Sequence, residues 1–362
     1  MKYVIDKNNR PVYLQLYRQI RDDIIQGVYP LGSKLPSKRL LAGELAVSTV
    51  TVEHAYALLC DEGYAEARER SGYLVIFRPS DGFAASASVE KTAPTPHAVS
   101  SYPEFSVSIL SKTIRKVLSD YSSLILEKSP NTGCEALRET ICAYLNRNRG
   151  IHVSTDQIVI GSGAEYLYGL IVDLLGRNKI YAIETPSYEK IEKIYRAAGL
   201  ACELLPFSED GIDSQALAAS KADVLHVTPY RSYPTGITAS ASKRHEYIRW
   251  ASTGHRFIIE SDYGSEFSVS SQPMEPLFVL SECDNVIYLN TFSRTISPSM
   301  RIGYMVLPRQ LIAPFREKLG FYSCTVPTLE QYVLTELIGS GDFERHINRV
   351  RRAKRKELST QR

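Results

Sequence analysis

Several features that would assign the chain to a particular class are missing from its 362 residues. The six cysteines never form a Cys-x-x-Cys pair, so the sequence offers neither a zinc motif nor a redox motif. Isolated cysteines of this kind are typical of small buried side chains in a reducing compartment. The N-terminus lacks the apolar segment of a signal peptide, and no apolar run is long enough to span a membrane. We therefore expect a soluble cytoplasmic protein with no metal site.

The charge balance excludes a simple argument for a nucleic-acid partner. The net charge is only +3, and a charge this small says nothing by itself about nucleic acid. Hydrophobic residues make up 44% of the chain, which is enough for two or more domains with separate cores.

The sequence divides into zones of different composition. Residues 1–79 are regularly patterned, whereas residues 80–100 are rich in Ala, Ser, Thr and Pro, as is typical of a linker. From residue 101 to about 340, amphipathic segments alternate with short β-rich segments, namely QIVIGSG, KIYAIETP, DVLHVTP, RFIIESDY and NVIYLNTF. This alternation predicts an α/β domain with a largely parallel sheet that is covered on both faces.

The first zone has the spacing of three helices with short connections. Leu16, Ile20 and Ile24 form one face of a first helix, and Ser37 and Ser48 are candidate N-caps of the next two. The short connections favour a helix-turn-helix, although a small helical domain with another role fits the pattern equally well.

The end of this zone predicts a β-hairpin. The segment YAEARERSGYLVIF reads as two strands joined at Arg70, Ser71 and Gly72, which is the shape of a wing.

The stretch GSKLPSKRLLAGELAVSTVTVEHAYALLCDEGY, followed by SGY, resembles the winged-helix domain of GntR-type regulators. The resemblance implies double-stranded DNA as a partner. It implies that Arg39 contacts the DNA backbone, that Ser48 to Thr51 begin the recognition helix, and that Gly72 approaches the minor groove. The family usually has Arg where this chain has Thr49, so we expect weaker phosphate binding and a flatter salt dependence.

Two further expectations concern how this domain binds DNA. Thr51 should face outward, opposite Val52, and is the candidate for contacts to base edges. Residues 1–79 hold eleven Lys/Arg against nine Asp/Glu, a net charge of +2, and so low a charge favours a homodimer that shares binding between two half-sites.

Six motifs in the second zone resemble fold-type I aminotransferases in order and spacing: TGCEALRETICAYL, IVIGSGAEYL, ETPSY, VTPYRSYPTG, IIESDYGSEF and YLNTFSRTISPSMRIGY. From Pro11 to its end, the chain resembles the MocR subfamily of GntR regulators, in which a winged helix is fused to an aminotransferase-like domain. The resemblance implies a multi-domain chain and names pyridoxal 5′-phosphate as the cofactor of the family.

Pyridoxal phosphate chemistry requires particular groups in the protein. The cofactor needs an amine that forms an imine with its aldehyde and a carboxylate that keeps its pyridine nitrogen protonated. It also needs donors for its phosphate group and, typically, a tyrosine phenol near the ring.

The resemblance places unsuitable residues at the two reactive positions. The imine-forming lysine falls at Arg294, and a guanidinium stays protonated and is no nucleophile, so covalent binding of the cofactor is not expected. The pyridine carboxylate falls at Ser261, while the adjacent Asp262 alternates to the other face if the segment is a strand.

Other cofactor-binding positions are partly kept. The phosphate-binding Ser-Gln pair of the family falls at Ala164 and Glu165, and a substrate-side Arg falls at Lys190. The retained residues are Tyr188, Tyr263, Ser293, Arg301 and the Pro234, Thr235, Gly236 motif. Each has an alternative role: the two tyrosines as core aromatics, Arg301 as a structural ion-pair partner and Ser293 as a turn residue.

Residues 341–362 resemble the helix that leads into the small lobe of aminotransferases, and the sequence stops there. We therefore expect the small lobe to be truncated. Eight Lys/Arg lie between Arg345 and Arg362. Either this basic helix contacts nucleic acid, or it is a helix that has lost its packing partner.

Together these features predict a DNA-binding transcriptional regulator with a degenerate aminotransferase-like domain that is not an enzyme. The alternative is a pyridoxal-phosphate-dependent aminotransferase fused to a winged helix, and a third possibility is a decayed gene product that folds poorly. Arg294 favours the regulator. The domain either binds a small anionic effector through Arg301 and Ser293 or binds none.

Overall fold

The structure, a computed structural model, describes residues 3–6, 11–68, 71–78, 105–268 and 274–360. The chain divides into two compact units, Met1–His97 and Ala98–Arg362, which are treated separately below. The predicted linker at residues 80–100 and Arg70 of the predicted wing turn lie outside the described residues.

The first unit is a winged helix-turn-helix, as the sequence predicted. Its elements are α1 (Val12–Ile25), α2 (Lys38–Leu45), α3 (Thr49–Asp61), β1 (Ala65–Arg68) and β2 (Gly72–Val75). Both predicted N-caps are present: Ser37 accepts a hydrogen bond from the Leu40 amide, and Ser48 accepts one from the Thr51 amide. Strands β1 and β2 pair antiparallel and form the wing.

The core of the first unit fixes how α3 is presented. Leu16, Ile20 and Ile24 of α1 are buried together with Val52 and Tyr56 of α3, and the Tyr56 hydroxyl donates to the Pro36 carbonyl at 2.8 Å. One face of α3 is therefore held against α1, and its opposite face is exposed.

The second unit is an α/β domain. Its helices are α4 (Val107–Asp120), α5 (Glu135–Arg149), α6 (Ala164–Leu175), α7 (Glu189–Ala197), α8 (Ser214–Ala219), α9 (Ala241–Thr253), α10 (Leu277–Leu280), α11 (Ile312–Leu319), α12 (Thr328–Gly339) and α13 (Asp342–Thr360). Its strands are β3 (Ile158–Gly161), β4 (Ile180–Thr185), β5 (Ala201–Ser208), β6 (Gly211–Ile212), β7 (Val224–Val227), β8 (Phe257–Ser261), β9 (Val286–Thr291) and β10 (Gly303–Val306).

These strands form one mostly parallel sheet, in the order β3-β10-β9-β8-β7-β4-β5-β6. The five segments that the sequence predicted as strands are β3, β4, β7, β8 and β9. Strand β10 runs antiparallel to both of its neighbours, and β6 is antiparallel to β5.

Alternate residues of single strands enter different cores, so the sheet is covered on both faces. Ile158 and Ile160 of β3 join the core that contains α5 and α12, whereas Val159 joins the core that contains α6 and α11. Because both faces of the sheet are covered, the side chains on both faces of each strand must be apolar. This explains why the strands appear in the sequence as continuous hydrophobic runs.

The basic C-terminal helix α13 contributes to the first of these cores. Phe343, Ile347 and Val350 are buried there, one helical turn apart. No helix in the described part of the chain is long and apolar enough to cross a membrane.

The parallel strands bring their carboxyl ends to one edge of the sheet. Strand β8 ends at Ser261, β9 ends at Thr291 and β4 ends at Thr185, and the helix α6 begins just after β3. Clefts at this edge are the usual binding sites of open α/β sheets.

Gly133, just before α5, lies close against Ile160 of β3. Its φ is +100°, and a Cβ placed there would lie 2.7 Å from Cβ of Ile160. We expect Gly133→Ala to lower the free energy of unfolding of the second unit by roughly 2–4 kcal/mol, because it combines overpacking with a strained φ. Urea unfolding followed by the fluorescence of Trp250, the single tryptophan, measures this loss.

Gly150→Ala is the matched control, since Gly150 also has a positive φ, +64°, but has open space around it. It should lose only about 1–2 kcal/mol. Equal losses in the two variants would contradict a packing role for Gly133.

Candidate functional site

The exposed face of α3 and the preceding helix form the first candidate site, a surface for DNA. Ser48, Thr49 and Arg39 are all exposed. Among the described residues Arg39 forms no ion pair, whereas the neighbouring Lys38 pairs with Glu53 at 2.7 Å. Of these two neighbouring cations, Arg39 is therefore the one that is free to bind a phosphate.

Thr51 lies less outward than the sequence predicted. It is half-buried, and its hydroxyl is 2.8 Å from that of Ser48. The reason is its position three residues after the N-cap, where side chains turn back toward the cap. Val50, which the sequence analysis passed over, is 55% exposed and presents its methyl groups instead.

The wing carries the third predicted feature of this surface. Gly72 is exposed at the start of β2 with a φ of +89°, a conformation that other residues seldom adopt. A side chain there would meet open space, so the backbone conformation requires the glycine.

The second candidate site is a cleft of about 590 Å³ at the carboxyl edge of the large sheet. Arg294 lines it, and so do all the residues predicted to be vestigial cofactor ligands, namely Tyr188, Ser261, Tyr263, Ser293 and Arg301. They come from separate segments of the chain, so the fold brings together what the motifs indicated separately. Their contacts define what the cleft can do.

Arg294 is held firmly at the cleft. Its Nη1 donates to the Tyr263 carbonyl at 2.7 Å, and its guanidinium carbon lies 5.1 Å from the centre of the Tyr263 ring. Arginine is protonated at any physiological pH, so this side chain supplies a fixed positive charge and no nucleophile.

Ser261 lies at the floor of the cleft in a neutral setting. Its hydroxyl is 2.9 Å from Nε2 of His226 and 3.1 Å from the Tyr168 hydroxyl. Burial lowers the pKa of His226 to about 3, so the imidazole is uncharged at neutral pH. The groups around Ser261 are therefore uncharged, at the position where the family resemblance implies a carboxylate.

The neighbouring Asp262 does not replace that carboxylate. It is fully buried and lies 2.9 Å from Nη2 of Arg149, and it accepts hydrogen bonds from the hydroxyls of Tyr288 at 2.7 Å and Ser265 at 2.8 Å. Its oxygens are committed to the interior on the far side from Ser261, as the predicted alternation implied.

The start of α6 forms the other end of the cleft. Glu165, in the first turn, pairs with Lys190 at 2.7 Å and with Arg301 at 3.5 Å. The hydrogen bond from Lys190, reinforced by the charges of both cations, lowers the pKa of Glu165, so it is ionised at neutral pH. Two cations and the helix N-terminus would suit an anion, but Glu165 competes for both cations.

The structure separates the alternative roles of the retained residues. Tyr188 and Tyr263 are 44% and 49% exposed, which is too open for core aromatics. The Ser293 hydroxyl donates to the Met300 carbonyl at 3.1 Å, as a turn residue would, while its side chain still lines the cleft. Arg301 does form an ion pair, but a long one at a half-exposed site.

Sequence reasoning missed Tyr168 and His226, which lie in the middle of α6 and β7. Neither falls in a motif, and a histidine within an apolar strand carries no signal of its own. Their role depends on the pairing of β7 with β8, which sets His226 beside Ser261.

Comparisons with known families divide the chain in the same way as the fold. Residues 12–75 match the model of the gntR family of bacterial regulatory proteins, and residues 99–361 match the model of aminotransferase class I and II.

Individual relatives carry both parts. The chain is 33% identical to the uncharacterized HTH-type transcriptional regulator YdeL of Bacillus subtilis, over 96% of this chain and 77% of the relative. It is 28% identical to the probable rhizopine catabolism regulatory protein MocR of Rhizobium meliloti, over 96% and 76%. Among solved structures, kynurenine aminotransferase of Pyrococcus horikoshii is 25% identical with a TM-score of 0.60, over 70% of this chain and 66% of that one.

The ion pairs of Glu165 give a test of the cleft as an anion site. Glu165→Gln releases Lys190 and Arg301, so we expect the affinity for inorganic phosphate to rise by about two- to fivefold, the range of half-exposed pairs. Isothermal titration calorimetry measures it. Asp173→Asn, on the same helix, is the control, because it removes the same charge from a pair with Arg177. An equal gain in both variants would mean a net-charge effect and no site.

Proposed function

The chain belongs to the GntR-type transcriptional regulators that carry an aminotransferase class I and II domain, and from this membership we propose that it regulates transcription by binding DNA. In this proposal the aminotransferase-like unit binds a small anionic ligand and does not catalyse amino transfer. The first unit supplies the DNA-binding surface, and the cleft of the second unit supplies the ligand site.

One observation carries the proposal that the cleft is not catalytic: it offers no amine. Among the described residues that line it, none is a lysine, and Arg294 occupies the matching motif position. Of the lysines nearby, Lys190 is tied to Glu165 at the cleft's rim, and the buried Lys354 donates to the Phe267 carbonyl at 3.1 Å. Without an uncharged amine in reach of a carbonyl, the covalent step on which aminotransferases depend has no nucleophile.

The cofactor of the fold family fits this cleft only in part. Gly163, at the N-cap of α6, leaves room that a Cβ would fill, since that atom would lie 3.0 Å from Nη2 of Arg301. A phosphate group suits this end, with Arg301 and Ser293 beside it. The reactive end does not fit, because Arg294 replaces the amine and Ser261 replaces the carboxylate. We therefore propose non-covalent binding and derive no reaction from the cofactor.

The DNA-binding proposal rests on the surface of α2, α3 and the wing. The exposed face of α3 can enter the major groove, with Thr49 and Val50 at the N-terminal end of the helix. Arg39 is available for the phosphate backbone, and Gly72 lies at the tip of the wing. A homodimer would supply two such surfaces for a two-part site, which compensates for the modest charge of each.

Arg294→Lys alone should not produce an aminotransferase. The substitution restores an amine, but Ser261 still cannot hold a proton on a pyridine nitrogen, and Asp262 is committed to Arg149. We expect no transfer of an amino group to a keto acid above the background of free pyridoxal phosphate. A coupled assay of keto-acid consumption measures this. Transfer well above that background by the single variant would contradict our account of the cleft floor.

Arg39→Ala should weaken DNA binding about equally on selected and scrambled duplexes. A phosphate contact carries no sequence information, and its loss should reduce the slope of log K against log salt by about one. Fluorescence anisotropy titrations across a range of salt concentrations measure both effects.

Lys38→Ala is the matched control for Arg39→Ala, because it removes the same charge from the adjacent residue, which is already paired with Glu53. It should leave the salt slope nearly unchanged. If neither the full chain nor its first unit binds any duplex at low salt, the regulatory function is wrong, and Thr49 in place of the usual arginine is the first suspect.

A further inference from the structure

A chain of hydrogen-bonded polar groups lies beneath the floor of the cleft. It runs from the Tyr195 hydroxyl to Nδ1 of His226 at 2.7 Å, from Nε2 of His226 to the Ser261 hydroxyl at 2.9 Å, and on to the Tyr168 hydroxyl at 3.1 Å. All four side chains are buried. Only Ser261 and Tyr168 also line the cleft.

The number of protons on this chain follows from the burial of its members. His226 is neutral because burial lowers its pKa to about 3, so its ring carries a single N–H. Burial also raises the pKa of Tyr168 to about 12 and that of Tyr195 well above its ordinary value, so both phenols keep their protons. With the Ser261 hydroxyl, the chain holds four protons for three hydrogen bonds.

The direction of the bonds determines where the surplus proton lies. Among the described residues the Tyr195 hydroxyl has no partner but His226, and a buried hydroxyl that donates to nothing is costly. Tyr195 therefore donates to Nδ1, the ring proton lies on Nε2, and His226 donates to Ser261. The surplus proton is left on Ser261 or Tyr168, and both face the cleft.

We propose that this surplus hydroxyl proton is donated to an uncharged acceptor atom of the ligand, so that the cleft selects phosphorylated aromatic compounds whose ring nitrogen is unprotonated. This selectivity rests on the ligand-binding role proposed above. If the ring nitrogen of the ligand were protonated, its N–H would face the surplus O–H of the cleft floor. Both groups would be donors, and neither would have an acceptor.

The charges around the cleft agree with this selectivity. Arg231, Arg294 and Arg301 all line it, which disfavours a cationic ring. The two acidic residues that line the cleft already form ion pairs, Asp262 with Arg149 and Glu165 with Lys190. Ser261 is thus a specificity-determining residue in an electropositive cleft. An aminotransferase would require a carboxylate at this position.

A matched pair of probes tests the proposal on the full chain: pyridoxine 5′-phosphate and its N-methylpyridinium derivative, which is permanently charged and cannot accept a hydrogen bond at nitrogen. We expect the parent compound to bind at least about tenfold more tightly, since the derivative leaves the donor unpaired. The absorption spectrum of the bound parent should be that of the ring with its nitrogen unprotonated. Equilibrium titration followed by absorbance gives both readouts.

Two variants separate hydrogen bonding from a steric clash with the methyl group. Ser261→Asp turns the floor into an acceptor and should reverse the preference toward the derivative, although Asp is the larger residue and would worsen a clash. Tyr168→Phe removes one proton and one hydrogen bond, so the surplus stays on Ser261 and the preference should persist.

The outcomes are distinguishable. If the parent and the derivative bind equally well to the unsubstituted chain, or if the bound ring is protonated, the selectivity is wrong but the cleft still binds ligand. If neither probe binds, the ligand-binding role itself is overturned, and the selectivity with it. If Ser261→Asp fails to fold, the absorption spectrum of the bound parent decides, because a clash with the methyl group of the derivative would leave it unchanged.

Discussion

The guanidinium of Arg294 is fixed at two points, by a 2.7 Å hydrogen bond to the Tyr263 carbonyl and by the face of the Tyr263 ring. This places a permanent positive charge in the cleft, at the position to which the family resemblance assigns the imine-forming lysine. Everything else about the cleft is consistent with that constraint. The floor at Ser261 is uncharged, the remaining cations favour an anion, and the scaffold that shapes the cleft is intact. In the proposed function, a cleft built in this way binds a ligand without reacting with it.

The scaffold persists because its stability does not depend on the chemistry. Asp262 is fully buried and pairs with the largely buried side chain of Arg149, and removing either partner would leave an uncompensated charge in the interior. Gly133 lies against the Ile160 side chain of β3, and Gly163 lies against the Arg301 side chain at the cleft. These contacts stabilise the aminotransferase-like shape whether or not a reaction takes place.

Much of this architecture could be predicted from the sequence, because periodicity and capping are local. The N-caps Ser37 and Ser48 and the strands β3, β4, β7, β8 and β9 were predicted correctly, and the predicted vestigial ligands all line one cleft. Strands β5, β6 and β10 were missed: β5 buries only Leu205 and contains Pro206, and the two residues of β6 and the four of β10 are too few to show a period. Thr51 was misjudged because its side chain bonds back to Ser48, and Tyr168 and His226 were missed because only strand pairing brings them to Ser261.

The central claim is that the cleft binds without reacting, and treatment with pyridoxal 5′-phosphate followed by borohydride reduction tests it most directly. One equivalent of the compound is added, the mixture is reduced, and the intact mass of the protein is measured. We predict that the mass of the bulk protein is unchanged, because Arg294 cannot form the bond that borohydride would fix. A stoichiometric pyridoxyl adduct on any one lysine, in a protein that also transfers an amino group, would contradict the account.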